Sequence, residues 1–307
     1  MKKYLLLIFS FMIVISSIPL KAQDDDSLET KEKHKWNWNW EWEREWDWGQ
    51  GKPFIEFTYG IGEPKHDKLS STIADIGLAG LKLGYVTFDD TYDDNVIEFD
   101  EKFIFASKLA PALRSDYSSL NGLKSEMLRF GFAKRSGYGY DFRFAKILPY
   151  HEIGGVWSKL DMKEYPGTGQ SILSYQSANN INDTQILDRF DKNFRFGTFA
   201  EAGIRLELGR FISFNGAYEA VVIFPRHLVW KNLASLIIQL AGEKSIDNFI
   251  DEVYDSSPYA APIVDFLLKN GYSYLFYTLQ KKHMNWPFNT ETPLTYETFK
   301  FGVTFTF

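Results

Sequence analysis

The chain has no cysteine, only five histidines, and no long apolar run after its first 22 residues. The missing cysteine rules out a disulfide framework, a CxxC redox pair, a thiolate zinc site and a cysteine nucleophile. It also rules out a lipid-anchored cysteine behind the N-terminal apolar segment. His34, His66, His151, His227 and His283 stand in no recognisable Ser–His or metal-ligand spacing, and no HExxH, GxSxG or Gly-Lys-Ser/Thr loop occurs. No cofactor, metal or catalytic residue is therefore expected. A helical membrane span needs roughly 18 consecutive apolar residues and is excluded beyond residue 22. Basic charge is short as well. Lys and Arg total 34 against 40 Asp and Glu, a formal net charge of −6, so the basic face required by a nucleic-acid partner is absent.

Aromatic residues are what the chain has in excess. They make up 17% of it, as 9 Trp, 17 Tyr and 27 Phe, while total apolar content is only 45%. The length allows one or two domains and a sizeable core or barrel.

Lys2 and Lys3 precede the nearly uncharged run from Tyr4 to Leu20, and Leu20-Lys21-Ala22 offers a small-residue cleavage site. Residues 1–22 read as a secretory signal peptide. Residues 23–51 differ in composition. They open on Asp24, Asp25 and Asp26 and continue into a repeat that places Trp36, Trp38, Trp40, Trp42, Trp46 and Trp48 at even spacing. A spacing of two puts these indoles on one face of an extended segment. A flexible low-complexity tail, a segment lying at a membrane interface and a stacking platform for sugar rings all fit this pattern.

From residue 52 to 307 apolar and polar residues alternate. Ile55, Phe57, Tyr59 and Ile61 share one face and Glu56 the other; Leu81, Leu83 and Tyr85 oppose Lys82. Ile97, Phe99, Phe103 and Phe105 alternate with Glu98, Asp100 and Lys102, and Glu101 interrupts that aromatic face as a bulge or an interfacial residue. Leu128, Phe130 and Phe132 oppose Arg129, and the same parity runs through Tyr138, Tyr140, Phe142 and Phe144 against Asp141 and Arg143. In 194–208, Phe194, Phe196, Ile204, Leu206 and Leu208 oppose Arg195, Glu201, Arg205 and Glu207. Across the tight turn at Gly209-Arg210, Phe214, Tyr218 and Val222 oppose Glu219. The chain ends with Phe299, Phe301, Val303, Phe305 and Phe307 on one face and Lys300 on the other.

Aromatic faces opposite polar faces that hold Gly and charges of both signs suit a barrel with lipid outside and a polar lumen inside. Connections near 89–94, 141–146 and 209–210 are short. Those at 62–74, 109–124, 162–193 and 225–292 are long, the asymmetry of periplasmic turns and extracellular loops. The expected fold is all-β: an antiparallel up-and-down transmembrane β-barrel of about eight strands, or ten if residues 134–137 form a turn. Both termini then lie on the periplasmic side.

The signal peptide, the amphipathic strands and the terminal Phe307 resemble a Gram-negative outer-membrane β-barrel protein over roughly residues 52–226 and 293–307. The resemblance implies an outer-membrane location, contact with outer-membrane lipids, and a C-terminal signal at Phe299, Phe301, Val303, Phe305 and Phe307 read by barrel-assembly machinery. It does not imply an activity, because this fold carries pores, enzymes, adhesins and inert anchors.

Residues of about 226–290 break the alternation. Leu233, Leu236, Ile237 and Leu240, then Ile246, Phe249, Ile250 and Val253, recur at helical spacing, and Ser257-Pro258 is a helix start. Ile263, Phe266 and Leu267 follow, then a cluster of Tyr272, Tyr274, Phe276 and Tyr277. Two or three amphipathic helices are expected on the extracellular side, between the last two strands. They either cap the barrel mouth or present a surface for an extracellular ligand or partner.

The expected lumen residues are Glu56, Lys82, Glu98, Asp100, Lys102, Arg129, Arg143, Arg195, Glu201, Arg205, Glu207, Glu219 and Lys300. In a barrel this small they form a paired plug, since unpaired buried charge is costly. The functional expectation is a non-enzymatic barrel with a structural or surface-interaction role. The alternatives are a small pore or hydrophobic-solute transporter, and a hydrolase or acyltransferase acting on lipid or peptide, with His66, His227 and His283 meeting among the loops.

Overall fold

A computed structural model describes residues 51–93, 95–114, 122–142, 144–163, 178–209 and 211–307. Residues 1–22, expected to be a signal peptide, and the Trp repeat lie outside the described residues. Eight strands form one closed antiparallel barrel in sequential order: β1 (Lys52–Lys65), β2 (Ile76–Asp93), β3 (Val96–Ala110), β4 (Ser125–Phe142), β5 (Ala145–Met162), β6 (Phe194–Leu208), β7 (Ile212–Ile223) and β8 (Leu294–Thr306). Residues 134–137 belong to the unbroken strand β4, paired with β3 throughout, so the ten-strand alternative is set aside.

The register sets the shape. Partners followed from Ile55 through Leu83, Ile104, Phe132, Gly155, Thr198, Val222 and Thr295 return to β1 at Lys65. That displacement along β1 makes the strands tilt steeply, and with only eight strands the interior stays narrow enough for side chains to fill. One end of the barrel carries short turns. At the β6–β7 turn Gly209 has φ 72°, a left-handed conformation that glycine adopts without a Cβ clash. The other end carries the long connections.

The outer face is apolar and aromatic along β1 and β2, in the long-loop half of β3 and β4, and again at β8; toward the short turns β3 and β4 carry Glu98, Asp100, Lys102 and Lys134 on that face. Phe57, Tyr59, Leu83, Ile104, Phe130, Phe299 and Phe301 are all exposed there. Inside, apolar layers close both ends. Near the short turns Ile97, Phe99, Leu148 and Tyr150 pack together. Near the long loops, Ile73, Leu78, Leu109, Met127 and Leu160 meet Leu187 and Phe190, which follow from the short helix α1 (Ala178–Leu187). The buried Asp183 of α1 accepts hydrogen bonds from the Ser70 and Ser71 N–H groups, at 3.0 and 2.8 Å, and pins the β1–β2 loop over the opening. His66 of that loop lies edge-on to Phe190 and 3.2 Å from the Thr292 carbonyl, and burial holds its imidazole below the ordinary range.

Two outcomes follow for this cap. Asp183→Ala should weaken it by about 1.5–3 kcal/mol, the value of charge-assisted hydrogen bonds, and speed amide exchange at Ser70 and Ser71. Because the half-buried His66 ring favours the neutral form, acid below about pH 6.5 favours states that expose it. Proteolysis of the β1–β2 loop should therefore rise as pH falls through that range.

Between β7 and β8 the chain forms α2 (Val229–Ser256) and α3 (Ala261–Gln280), joined by a short 3-10 turn. They do not cap the mouth. Most of their contacts are with outward-pointing residues of β4 to β7. Tyr138 stacks on Tyr254 and packs with Ile250 and Ala261. His151 Nε2 lies 2.8 Å from Ser273 Oγ, Tyr218 meets Tyr274, and Ala220, Val222 and Phe224 meet Tyr277. The hairpin lies along the outer wall. The mouth is closed instead by α1 and the β1–β2 loop.

Candidate functional site

The interior between the two apolar layers is ionic. Arg135, from the middle of β4, is fully buried and touches three carboxylates from three strands. Its Nη1 donates to Glu56 and to Glu101, both at 2.9 Å, and its Nε donates to Glu152 at 2.8 Å. Lys82 of β2 donates to both oxygens of Glu152, at 3.0 and 2.9 Å, and lies 3.5 Å from Glu56. Arg205 of β6 pairs with Glu101 and reaches Glu56 at 3.4 Å. Thr304 donates a further bond to Glu56, and the Tyr150 hydroxyl donates to Glu201 at 2.8 Å.

Toward the long-loop end the network continues through Lys300. It pairs with Glu201 and donates to Glu219 at 2.6 Å. Arg129 donates to Glu219 at 2.8 Å and also to the Tyr296 and Ser107 hydroxyls. Among the described residues the stack holds five carboxylates (Glu56, Glu101, Glu152, Glu201, Glu219) and five cations (Lys82, Arg129, Arg135, Arg205, Lys300), all buried. Charge balance and repeated pairing offset the cost of taking ten charges out of water. Aromatic faces complete the shell: Phe103 lies under Lys82 and Arg135, and Tyr150 lies 4.4 Å from the Arg135 guanidinium carbon.

What remains open is small. A cavity beside Lys82, Arg129, Glu219 and Lys300 has room for about one water molecule. Among the described residues, buried apolar side chains lie across the lumen toward both ends of the stack.

The structure sorts the thirteen expected lumen residues. Glu56, Lys82, Arg129, Glu201, Arg205, Glu219 and Lys300 lie in the network. Arg195 and Glu207 have inward parity but sit at the rims, where Arg195 donates to the Arg189 carbonyl at 2.7 Å. Arg143 lies outside the described residues. Glu98, Asp100 and Lys102 are a correction: they point outward from β3, and Asp100 pairs with the outward Lys134 at 2.8 Å. On β3 the aromatic face is the inner one, because Phe99, Phe103 and Phe105 wall the ionic stack and Glu101 sits among them as a network member.

Three members were missed: Glu101, Arg135 and Glu152. Extending the parity of Arg129 along an unbroken β4 would have reached Arg135. Glu101 carried its own signal, a charge in phase with the aromatics. The terminal Phe299, Phe301 and Phe307 face outward as the alternation requires.

Chemistry beyond pairing finds little support. Among the described residues no group of His, Asp or Glu is arranged to hold a metal ion. His66 and His283 each contact a backbone carbonyl, of Thr292 and Thr290, and His227 is exposed. The Ser273–His151 pair has the distance of a hydrolytic dyad, but both residues are buried between α3 and the wall, where the pair fastens the helix.

No protein-family model matches the chain. No curated protein matches it either. Among solved structures, the outer membrane protein OprG from Pseudomonas aeruginosa is similar, with 10% identity, coverage of 84% of this chain and 96% of that one, and a TM-score of 0.27. A superposition that loose carries no weight, and the barrel stands on its own closed register.

Proposed function

We propose that this chain is an outer-membrane β-barrel that does not conduct and serves as a structural or surface-interaction scaffold. The observation that carries the reading is the filled lumen: ten buried, paired charges stand between two apolar layers. The exposed aromatic wall supports a lipid setting, since a soluble protein rarely exposes apolar surface of that extent. Tilted strands of 12–18 residues are long enough to cross the hydrocarbon layer. In this reading the long loops face the cell exterior.

The purified barrel in planar bilayers is expected to give no stable single-channel steps, and regular steps would overturn the scaffold reading. Heat-modifiable gel mobility and recovery in the outer-membrane fraction are expected alongside; a soluble periplasmic protein would contradict the location.

The C-terminal aromatics are proposed as the segment read by barrel-assembly machinery. Phe307 is exposed, its N–H donates to the Pro53 carbonyl at 2.9 Å, and its ring meets Phe211. Phe307→Ala should lower the folded outer-membrane yield severalfold while leaving refolding of the purified chain in detergent nearly unchanged. Equal loss in both settings would assign Phe307 a packing role only.

A further inference from the structure

The two ends of the α2–α3 hairpin lie at opposite ends of the barrel. It leaves β7 and rejoins β8 at the long-loop end, where Lys281 and Tyr277 bond Glu297 at 2.6 and 3.1 Å. Its own turn reaches the short-turn end. There the Tyr140 hydroxyl donates to the Tyr259 carbonyl at 2.7 Å, and Asn95, beside the β2–β3 turn, donates to the Tyr259 hydroxyl at 3.1 Å. The 20 residues of α3 rise about 30 Å, which is the thickness of the hydrocarbon layer. A barrel seated in a bilayer therefore carries this hairpin through the same layer.

The surface of the hairpin fits that position. No described helix is apolar enough on average to count as a membrane span. On α3, however, the charged and amide residues, which lower the average most, face inward. Asp265 is fully buried and pairs with Lys269 at 2.8 Å, Lys269 also reaches Asp247 of α2 at 2.9 Å, Asn270 donates to the Tyr150 carbonyl at 3.2 Å, and Ser273 meets His151. The large apolar residues exposed on α3 are Ile263, Leu267, Tyr274 and Leu275, with Gly271 and Thr278 among them, and the first half of α2 adds Leu233, Leu236, Ile237 and Ile238, with Lys231 in its first turn. This face continues the apolar belt of the barrel at the strands the hairpin covers. Past Gly242, α2 exposes Lys244, Asn248 and Glu252 and runs near the outward Glu98 of β3, so the hydrocarbon contact ends there.

We propose that the α2–α3 hairpin is embedded in the membrane, with α3 and the first half of α2 facing lipid chains in place of the β4–β7 wall and its turn at the periplasmic surface. The proposal rests on the outer-membrane reading above.

The absence of cysteine makes the test direct, because single-cysteine variants report one site each. In cells of a Gram-negative host treated with a membrane-impermeant maleimide, Lys68→Cys in the β1–β2 loop should label in intact cells. Lys52→Cys at the short-turn end should label only after the outer membrane is permeabilised. Ser257→Cys at the hairpin turn should follow Lys52→Cys, and labelling in intact cells like Lys68→Cys would overturn the embedded hairpin. Leu267→Cys should stay unlabelled in both conditions. Carrying a bimane in proteoliposomes, it should lose most of its fluorescence to lipids brominated on their chains. Labelling from water, or an unquenched bimane covered by another protein, would equally overturn the proposal. If the two controls label alike, the outer-membrane reading fails instead.

Discussion

Arg135→Ala is expected to lower the stability of the folded barrel by about 3–5 kcal/mol, the cost of leaving buried charges without their partner. The side chain is fully buried and bridges Glu56, Glu101 and Glu152. Its removal leaves Lys82 and Arg205 to serve all three, with Glu101 held by Arg205 alone. Arg135→Lys keeps the charge but not the planar fork that reaches three carboxylates at once, so an intermediate loss is expected. Denaturant unfolding in micelles, followed by the heat-modifiable gel shift, measures both. A loss below about 1 kcal/mol for Arg135→Ala would mean that water enters and solvates the stack, and the plugged-lumen reading would fall with it.

Gly203→Leu should be nearly as damaging for a steric reason. Gly203 points into the lumen from β6 between Glu201 and Arg205, and a Cβ there would lie 2.3 Å from the Tyr150 ring. That ring cannot swing aside freely, because its hydroxyl bonds Glu201 and its face covers the Arg135 guanidinium. Overpacking of this kind costs typically about 1–3 kcal/mol, and displacing Tyr150 also removes a hydrogen bond from a buried carboxylate. The sharper measurement is a double-mutant cycle. In a Tyr150→Ala background the same leucine has space, so the penalty should shrink by more than half. An unchanged penalty would place the conflict in the backbone of β6 and not at Tyr150.

Much of the barrel is legible in the chain because a period of two is a local property. On β1, β2, β6, β7 and β8 the alternation placed Glu56, Lys82, Glu201, Arg205, Glu219 and Lys300 on the inner face, where the structure has them. The reading fails on β3, where the aromatics Phe99, Phe103 and Phe105 line the inner face and Glu98, Asp100 and Lys102 the outer one. Phe103 packs against cations inside while Ile104 meets the exterior, and composition alone cannot orient such a strand. It fails on β4 for a related reason. Lys134-Arg135-Ser136-Gly137 has the composition of a turn, but ladder pairing to β3 and β5 on either side holds it extended.

The hairpin shows the same limit at larger scale. Helical spacing in Leu233, Leu236, Ile237 and Leu240, and again in Ile263, Phe266 and Leu267, located two helices between the last strands. Loop parity then suggested a cap over the mouth. The polar partners that tie α3 down, His151 and the Tyr150 carbonyl, lie on β5, more than a hundred residues away in sequence.

By itself, then, the sequence determined that the chain alternates, closes without cysteine or metal-binding spacing, turns sharply at one end and loops widely at the other, and carries two helices before its final strand. Each of these is written in neighbouring residues. Only the tertiary structure decided which face of β3 looks inward, that Arg135 rather than the rim charges is the centre of the lumen, and that the helices lie along the wall. Those outcomes depend on charges and hydrogen-bond donors brought together from distant strands. A buried ion is stable only where such partners converge, and no local pattern records where that is.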